Sequence, residues 1–588
     1  MKRVLLSAIF AVLLSLSPLA QATAPEITVP LRFDYYYTYD MVIEALNALH
    51  QAYPEMTRVE VIGQSEEGRD LYAFTLNNPK TGAELEKPGV WIDANIHGNE
   101  LQATEVALYL LDYLLGKYGK NDEVTQLIDK NCFYVIPIVN VDGRFHFFSD
   151  ANTSSSNRGL RRPKDDDRDG LYDEDFPDDL DGDGNICQMR KKDPFGEYKT
   201  DPADPRLMVR IKPGEQGEWT LLGREGLDND GDGRVNEDAE GYVDPNRNWG
   251  YDWMPEYVQS GAGDYPFSGT GIKAIAQFAR KRPNLTLAWT LHNSGGMFLR
   301  GPSQKGQGEF PREDIAVYDY LGQQAERITP GYRYMISWKD LYSTYGDSLE
   351  WMVNCNGAFG FVAELFQSSS ETFKSREEEE RSGAGDSDGD MDFGESNDMA
   401  RERIQFNDHL VQGELYKPWA PYNHPTYGEI EIGGWVKFSS RLPAPFMLRD
   451  LVHRNAMAII FSAKQTPEVE LEVIEVKELS ENLFRVRTRL HNSKALPTMS
   501  RLSQNRKLYP KDFLKATGSG VQVVAGGLLN DAFRDNVTYK EHRPELQFTV
   551  VPGFGKVEHQ FLVSGTGELN IEYTSRWAGT RTQTVKLE

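Results

Sequence analysis

His97 and Glu100 form a pair whose residue types and spacing could bind a metal ion. They lie in a turn marked by Gly98 and Asn99. An imidazole and a carboxylate three residues apart can point the same way and supply nitrogen and oxygen ligands that Zn2+ accepts. Because such a pair also recurs by chance in long chains, the alternative interpretation is a solvated turn.

The segments on both sides of this pair indicate an α/β sheet. Residues 89–94 are typical of a buried strand, and the apolar spacing from Leu101 to Tyr118 predicts a helix. The apolar run from Phe133 to Val141 predicts a second strand that is covered on both faces. This order of strand, turn, helix and strand places chemistry at the carboxyl ends of the strands.

Two later apolar segments bring further candidate residues to strand ends. Residues 285–291 predict a buried strand that ends at His292, and residues 359–366 predict another whose one charged side chain is Glu364. A helix is expected from Phe446 to Ser462. An ionised carboxylate within an apolar strand is costly unless a cation or hydrogen bonds compensate its charge, so Glu364 requires a chemical reason.

The N-terminal residues 1–22 have the pattern of a secretory signal peptide. They combine Lys2-Arg3, an apolar stretch and a small-x-small cleavage site, whereas a membrane anchor would need a longer apolar run. We therefore expect a soluble protein that is exported to the periplasm or secreted. The three cysteines are too few for a disulfide framework.

A change in the pattern of apolar residues near residue 466 predicts a second domain. Short alternating apolar runs separated by turn residues replace the helical patterns, which indicates a β-sandwich. The predicted organisation is a signal peptide at 1–22, a catalytic domain at 23–465 with an insert at about 149–241, and a β-sandwich at 466–588.

The net charge of −25 is concentrated in three acidic segments. Residues 165–183, 228–240 and 371–398 carry net charges of −10, −5 and −8. This clustering argues against nucleic acid and anionic membranes as partners, since both would be repelled. It favours bound cations.

Three units in the insert place acidic residues at positions 1, 3 and 5 and glycine at position 6. Alternate carboxylates around a glycine turn resemble the first half of a calcium-binding loop, although the usual glutamate at position 12 is absent. A disordered acidic insert is the alternative. The predicted calcium ligands are Asp165, Asp167 and Asp169; Asp179, Asp181 and Asp183; and Asp228, Asp230 and Asp232.

Four motifs, taken in order, resemble those of the M14 zinc carboxypeptidases. They are HGNE with His97 and Glu100, DPNRNW with Asn246 and Arg247, TLHNS with His292, and FVAELF with Glu364. The resemblance covers residues 27–462, is that of a bacterial secreted member, and implies a mixed-sheet α/β catalytic domain. His97, Glu100 and His292 would bind Zn2+ and leave an open position for water. Glu364 would act as general base and then as general acid.

The resemblance also implies residues that bind the substrate. Asn246 and Arg247 would hold the terminal carboxylate of a peptide, because a guanidinium can form two hydrogen bonds to it. Arg161, with Arg162 as the alternative, would polarise the scissile carbonyl. The aromatic residue that closes over the substrate corresponds to Tyr342, with Tyr345 as the alternative.

The base of the specificity pocket corresponds to Leu349, which would favour an apolar C-terminal residue of the substrate. The sequence therefore predicts a metallocarboxypeptidase that needs Zn2+ and that also binds Ca2+. Two alternatives stay open. One is a zinc amidase or deacylase acting on cell-wall peptides or acylated amino acids, and the other is a non-catalytic calcium-dependent binding protein.

Overall fold

The structure is a computed structural model that describes residues 27–165, 168, 170–366 and 397–588. The predicted signal peptide and two of the predicted calcium ligands, Asp167 and Asp169, lie outside the described residues. The third acidic segment also lies almost entirely outside them. The described part of the chain contains no helix that is long and apolar enough to cross a membrane.

Nine helices belong to the described part of the predicted catalytic domain. They are α1 (Tyr39–Ala52), α2 (Gln102–Lys117), α3 (Asp122–Lys130), α4 (Val141–Ser149), α5 (Thr270–Arg280), α6 (Arg312–Ile328), α7 (Ser348–Asn356), α8 (Asn397–Leu410) and α9 (Pro445–Ala463). The first, α1, begins at Thr38, whose hydroxyl accepts a hydrogen bond from the Met41 amide and so satisfies one free donor of the first turn.

The strands of this domain occur in four groups along the chain. The first group is β1 (Thr57–Gln64), β2 (Asp70–Leu76), β3 (Gly89–Ala94) and β4 (Cys132–Ile136). The insert contributes β5 (Leu160–Arg161), β6 (Gln188–Lys192), β7 (Tyr198–Thr200), β8 (Met208–Arg210), β9 (Trp219–Arg224) and β10 (Tyr242–Val243). The third group is β11 (Leu285–Asn293), β12 (Met297–Arg300), β13 (Arg333–Ile336) and β14 (Phe359–Leu365). A final pair is β15 (Tyr416–His424) and β16 (Gly428–Trp435).

An eight-stranded mixed sheet forms the centre of the catalytic domain, in the order β1-β2-β4-β3-β11-β14-β12-β13. Its four central strands β4, β3, β11 and β14 are parallel. Every residue of β3, β4 and β11 is buried, because helices cover both faces of the sheet. The predicted mixed α/β fold is confirmed.

The apolar run at residues 133–141 forms a strand and a helix start, and the prediction of one continuous strand was wrong. The strand β4 ends at Ile136, directly before Pro137, which cannot donate a ladder hydrogen bond. Asn140 then begins α4, since its side-chain oxygen accepts a hydrogen bond from the Gly143 amide.

The acidic insert is more ordered than its sequence indicates. Its strands β6, β9, β7 and β8 join β15 and β16 in a six-stranded antiparallel sheet with a small apolar core. In this sheet Arg190 stacks between the rings of Trp219 and Trp419, at 3.9 and 4.2 Å from their centroids. Its guanidinium also pairs with Glu431. The partner strands lie more than 200 residues away in the sequence, so local patterns could not indicate this sheet.

The C-terminal region begins after α9 and forms a sheet with its own core. It contains β17 (Val469–Ser480), β18 (Leu483–Asn492), α10 (Arg501–Arg506), β19 (Asp512–Asp531), β20 (Asn536–Tyr539), β21 (Leu546–Thr549), β22 (Gly555–Ser575) and β23 (Gly579–Leu587). All seven strands belong to one hydrogen-bonded sheet. The long strands β19 and β22 bend where Gly520, Gly565 and Gly567 have positive φ, so the sheet curls over itself.

Candidate metal centre and substrate site

Three neighbouring parallel strands bring the candidate catalytic residues to one edge of the main sheet. The turn that follows β3 carries His97 and Glu100. His292 lies near the carboxyl end of β11, and Glu364 lies beside it on β14 in direct register. Since the carboxyl ends of parallel strands meet at one edge, residues almost 270 positions apart in the sequence converge there.

His97, Glu100 and His292 form a compact and buried cluster of metal-binding atoms. Each side chain offers one ligand atom, and the three atoms lie within 4.8 Å of one another. His97 Nδ1 is 2.8 Å from Glu100 Oε1, and His292 Nδ1 is 3.0 Å from Glu100 Oε2. The three residues are at most 2% exposed. Two imidazole nitrogens and one carboxylate are a ligand set that fits Zn2+ with one position left for water or substrate.

Asp244 orients the first histidine of this cluster. Its Oδ1 atom is 3.1 Å from His97 Nε2, so the other ring nitrogen, Nδ1, faces Glu100 and His292. Burial would raise the pKa of the Asp244 carboxyl, but His97 and Arg247 hold it well below its usual value. A carboxylate behind a metal-binding histidine fixes its tautomer and increases its basicity. Asp244 was not among the residues predicted from the sequence, although it is the first residue of the DPNRNW motif.

The electrostatics of the cluster favour the ionised form of the Glu100 carboxylate, which is the form that binds a metal ion. Burial alone would raise the pKa of Glu100, but His97 and His292 lower it well below its usual value. The Glu364 carboxyl behaves in the opposite way, because burial raises its pKa more than His292 lowers it. Two carboxyl groups in one site therefore differ in their tendency to hold a proton, as a ligand and a proton carrier require.

Asn246 and Arg247 lie directly beside the metal ligands. The Asn246 Nδ2 atom is 3.4 Å from His292 Nε2, and its Oδ1 accepts a hydrogen bond from the Ser348 amide at 3.0 Å. Arg247 is 8% exposed, and its guanidinium donates to the Asn246 carbonyl. The structure thus brings together the predicted carboxylate-binding pair and the predicted zinc ligands.

Arg158, rather than Arg161, is the arginine at the metal cluster. Its NH1 atom is 3.0 Å from Glu100 Oε1, and its Nε atom is 4.0 Å from Asp244. Arg161 instead pairs with Asp150 and Glu240, at 3.2 and 2.9 Å. The structure does not bring Arg161 to the cluster, because Arg161 lies on the short strand β5, paired with β10, where its side chain is held by these two acids.

The alternative arginine, Arg162, also points elsewhere, since it pairs with Asp264. The NRGLRRP segment contains three arginines within five residues, and sequence alone gave no reason to choose the first. The pairing of β5 with β10 separates Arg158 from Arg161, and only the fold reveals this pairing.

Tyr342 and Leu349 occupy different environments around the site. Tyr342 is 51% exposed. Burial would lower the pKa of Arg158, but Glu100, Asp244 and then Tyr342 raise it, so Tyr342 lies near this arginine. Tyr345 is partly buried, and its amide donates to Gln259. Leu349 is buried in the main core on α7, next to Gly360 of β14. The substrate preference drawn from Leu349 stays a prediction.

The acidic loops of the insert differ in how their charge is compensated. Asp179, Asp181 and Asp183 converge within 4.8 Å, but the Lys417 ammonium pairs with both Asp181 and Asp183, the latter at 2.6 Å. This loop therefore already contains a cation. Of the predicted ligands in the first loop, only Asp165 lies within the described residues, and it accepts hydrogen bonds from the Arg168 and Gly170 amides.

The third loop gathers additional acids instead of a lysine. Asp228, Asp230 and Asp232 lie within 4.8 Å, and Asp230 also forms a second such group with Asp175 and Glu237. Both carboxylate oxygens of Glu237 are shielded from solvent and have no hydrogen-bond partner among the described residues. Burial and the Asp175 carboxylate raise the pKa of Glu237 to about 7.

Comparison with known proteins gives two family matches. The zinc carboxypeptidase family model matches residues 42–202 and 221–380, which is more than half of the chain. Residues 468–586 match a model described as a domain of unknown function. The first match includes all four motifs described above.

Individual relatives match shorter segments. Carboxypeptidase D of Rattus norvegicus is 37% identical over 109 residues, which is 18% of this chain and only 8% of the relative. Carboxypeptidase M of Mus musculus is 33% identical over 111 residues, or 19% of this chain and 25% of the relative. The crystal structure of thrombin activatable fibrinolysis inhibitor overlaps 73% of this chain and 74% of its own, with 16% identity and a TM-score of 0.43.

We expect His292→Ala to abolish stoichiometric zinc binding, because it removes one of two nitrogen ligands from a three-ligand site. Metal analysis of the purified protein after dialysis measures this. The control is His559→Ala, which removes a histidine that is equally buried but lies in the C-terminal sheet. Full zinc retention by the His292 variant would contradict the ligand assignment.

We expect Arg158→Ala to lower kcat/KM by about 100-fold or more, since it removes a positive charge next to the reacting centre. Arg161→Ala is the matched control, because it removes the same side chain from the same segment but not from the metal cluster. Its kcat/KM should stay within about threefold of wild type. The reverse order of the two effects would restore the assignment of Arg161.

Proposed function

The chain belongs to the zinc carboxypeptidase family, and we propose that it is a metallocarboxypeptidase that removes the C-terminal residue of peptides. The observation that carries this proposal is the contact between Asn246 and His292. This contact supports the proposal, because the pair expected to bind a carboxylate would then lie directly against the residues expected to bind the metal. A substrate held there by its terminal carboxylate would present its last peptide bond to the metal.

The residues fit a hydrolytic reaction of this kind. Zn2+ held by His97, Glu100 and His292 would supply a Lewis acid that polarises the scissile carbonyl and activates water. Glu364, whose pKa is raised by burial, can take a proton from the attacking water and deliver it to the departing amine. Arg158 can stabilise the negative charge that develops on the carbonyl oxygen.

The substrate side of the site depends on Arg247 and its neighbours. The planar guanidinium can form two parallel hydrogen bonds to a carboxylate, and the burial of Arg247 strengthens them. Asn246 adds an amide donor beside it. Tyr342 is exposed at the rim of the site, where it could close over a bound peptide.

We further propose that the enzyme acts after export, either in the periplasm or outside the cell. The signal-like pattern at residues 1–22 supports this proposal. The strongly acidic surface supports peptides rather than nucleic acid as its partners.

The third acidic loop is the proposed Ca2+ site of the insert. Asp228, Asp230 and Asp232 supply oxygens from one loop, and Glu237 and Asp175 can close the shell in place of the missing position-12 glutamate. Because Asp175 comes from a segment more than 50 residues earlier, an ion there would join two distant parts of the insert. The second loop has Lys417 in place of an ion.

A comparison of free and amidated peptides tests the carboxypeptidase activity. Wild type should cleave peptides with a free C-terminus and leave the amidated forms intact, because Arg247 requires a carboxylate.

We expect Glu364→Gln to keep zinc while kcat falls by about 100- to 10,000-fold. Liquid chromatography with mass spectrometry measures the released residue.

Two outcomes would contradict this activity. Equal cleavage of amidated peptides would favour an amidase or another hydrolase on the same metal site. Peptide binding without hydrolysis by the zinc-loaded wild type would favour the non-catalytic binding protein.

We expect Ca2+ to raise the melting temperature of the wild type, by binding only the folded insert. At a hundredfold excess over Kd the gain is about 2.7 kcal/mol for each site. Asp230→Asn should remove most of this gain, whereas Asp181→Asn in the lysine-filled loop should retain it. Lys417→Met removes the ammonium group from the second loop. Calorimetric titration of this variant should therefore detect one more Ca2+ per chain than titration of the wild type. If neither melting nor calorimetry responds to Ca2+, the loops are merely solvated surface.

A further inference from the structure

The turn at residues 95–101, called here the zinc turn, is held from inside the protein by Asn95. Asn95 is fully buried and has a φ of 55°, a left-handed conformation that asparagine tolerates better than most residues. Its Nδ2 atom donates to the His97 carbonyl at 2.7 Å and to the Gly98 carbonyl at 3.2 Å. One side-chain amide therefore fixes the backbone of the first metal ligand.

Arg144 of α4 holds both ends of the same turn. Its NH1 atom donates to Asn95 Oδ1 and to the Leu101 carbonyl, each at 3.2 Å. It also donates to Thr104 Oγ1 at 3.0 Å, at the start of α2. The amide of Asn95 is thus bound on both sides, with its oxygen on Arg144 and its nitrogen on the zinc turn.

The charge of Arg144 is balanced within this network. Arg144 and Glu105 form an ion pair of 2.7 Å in which both side chains are completely buried. Glu105 Oε1 additionally accepts a hydrogen bond from the Tyr37 amide, and Arg144 Nε donates to the Tyr37 carbonyl. The network therefore ties the zinc turn to the N-terminal segment as well as to α2 and α4.

A buried ion pair is a costly way to stabilise a core, because apolar residues of similar volume often serve equally well. What an arginine adds is a rigid fork of donors with fixed directions. Here those donors reach the Leu101 carbonyl, at the end of the turn, and the Tyr37 carbonyl of the N-terminal segment. The arrangement determines where His97 and Glu100 stand relative to His292.

We propose that Asn95 and Arg144 are positioning residues that hold the zinc turn at the ligand spacing required by the metal. This inference rests on the proposed zinc site. Neither residue contacts the metal ligands' donor atoms, so their effect passes through the backbone of His97 and Gly98. Loss of such outer contacts typically weakens metal affinity by about 10- to 100-fold.

The test measures zinc affinity, by competition of metal-free protein with a chromophoric chelator. Asn95→Gly keeps the left-handed backbone available and removes only the side-chain amide. We expect its zinc dissociation constant to rise by about 10- to 100-fold. Asn482→Gly is the matched control, because Asn482 has a φ of 59° in the turn between β17 and β18 of the C-terminal region, and the zinc affinity of this variant should equal that of wild type.

A second pair of variants separates positioning from general stability. Arg144→Met and Arg282→Met both remove a buried arginine that binds a backbone carbonyl and a carboxylate. Both should lower the melting temperature of the metal-free protein, but only Arg144→Met should weaken zinc binding. Should Arg144→Met not fold, the Asn95 pair decides the question by itself.

The outcomes distinguish this inference from the proposed function. If wild type binds no stoichiometric zinc, the zinc site and this inference are both wrong. If wild type binds zinc and Asn95→Gly binds it within about threefold of wild type, only the positioning role is wrong. Equal weakening in Asn95→Gly and Asn482→Gly would also overturn it, because the effect would then be one of stability.

Discussion

The desolvated Glu100 carboxylate and its two histidine neighbours impose the main constraint on this fold. A buried carboxylate is costly unless cations or hydrogen-bond donors surround it. Here His97, His292 and Arg158 lie within about hydrogen-bond distance of its two oxygens. The three elements that carry these groups come from different parts of the chain. Their approach is therefore an electrostatic requirement as well as a catalytic one.

Each group around the cluster is in turn held by a second layer of buried polar contacts. Asp244 orients the ring of His97, and Asn95 with Arg144 fixes its backbone. Such layers matter because a ligand displaced by a fraction of an ångström loses much of its affinity for the metal. The parallel sheet supplies a rigid base for them, with β3, β11 and β14 packed on both faces by helices.

The insert and the C-terminal sheet are long segments that contribute little to the main core, and each is ordered by contacts of its own. The insert forms a sheet with β15 and β16 and stacks Arg190 between two tryptophans. Lys417 balances part of the charge of the second acidic loop, whereas in the third loop several carboxylates converge. In the C-terminal region, glycines at the bends of β19 and β22 let one sheet enclose a core.

The sequence by itself determined the local features: the strands before His97, at His292 and at Glu364, and the motif order that indicates the family. These depend on apolar periodicity and residue types close together in the chain. Only the tertiary structure decided which of three nearby arginines reaches the cluster, that Asp244 supports His97, and that the insert pairs with strands 200 residues away. Those choices depend on which strands pair and which side chains burial brings together, and neighbouring residues such as Arg158 and Arg161 carry no local signal that separates them.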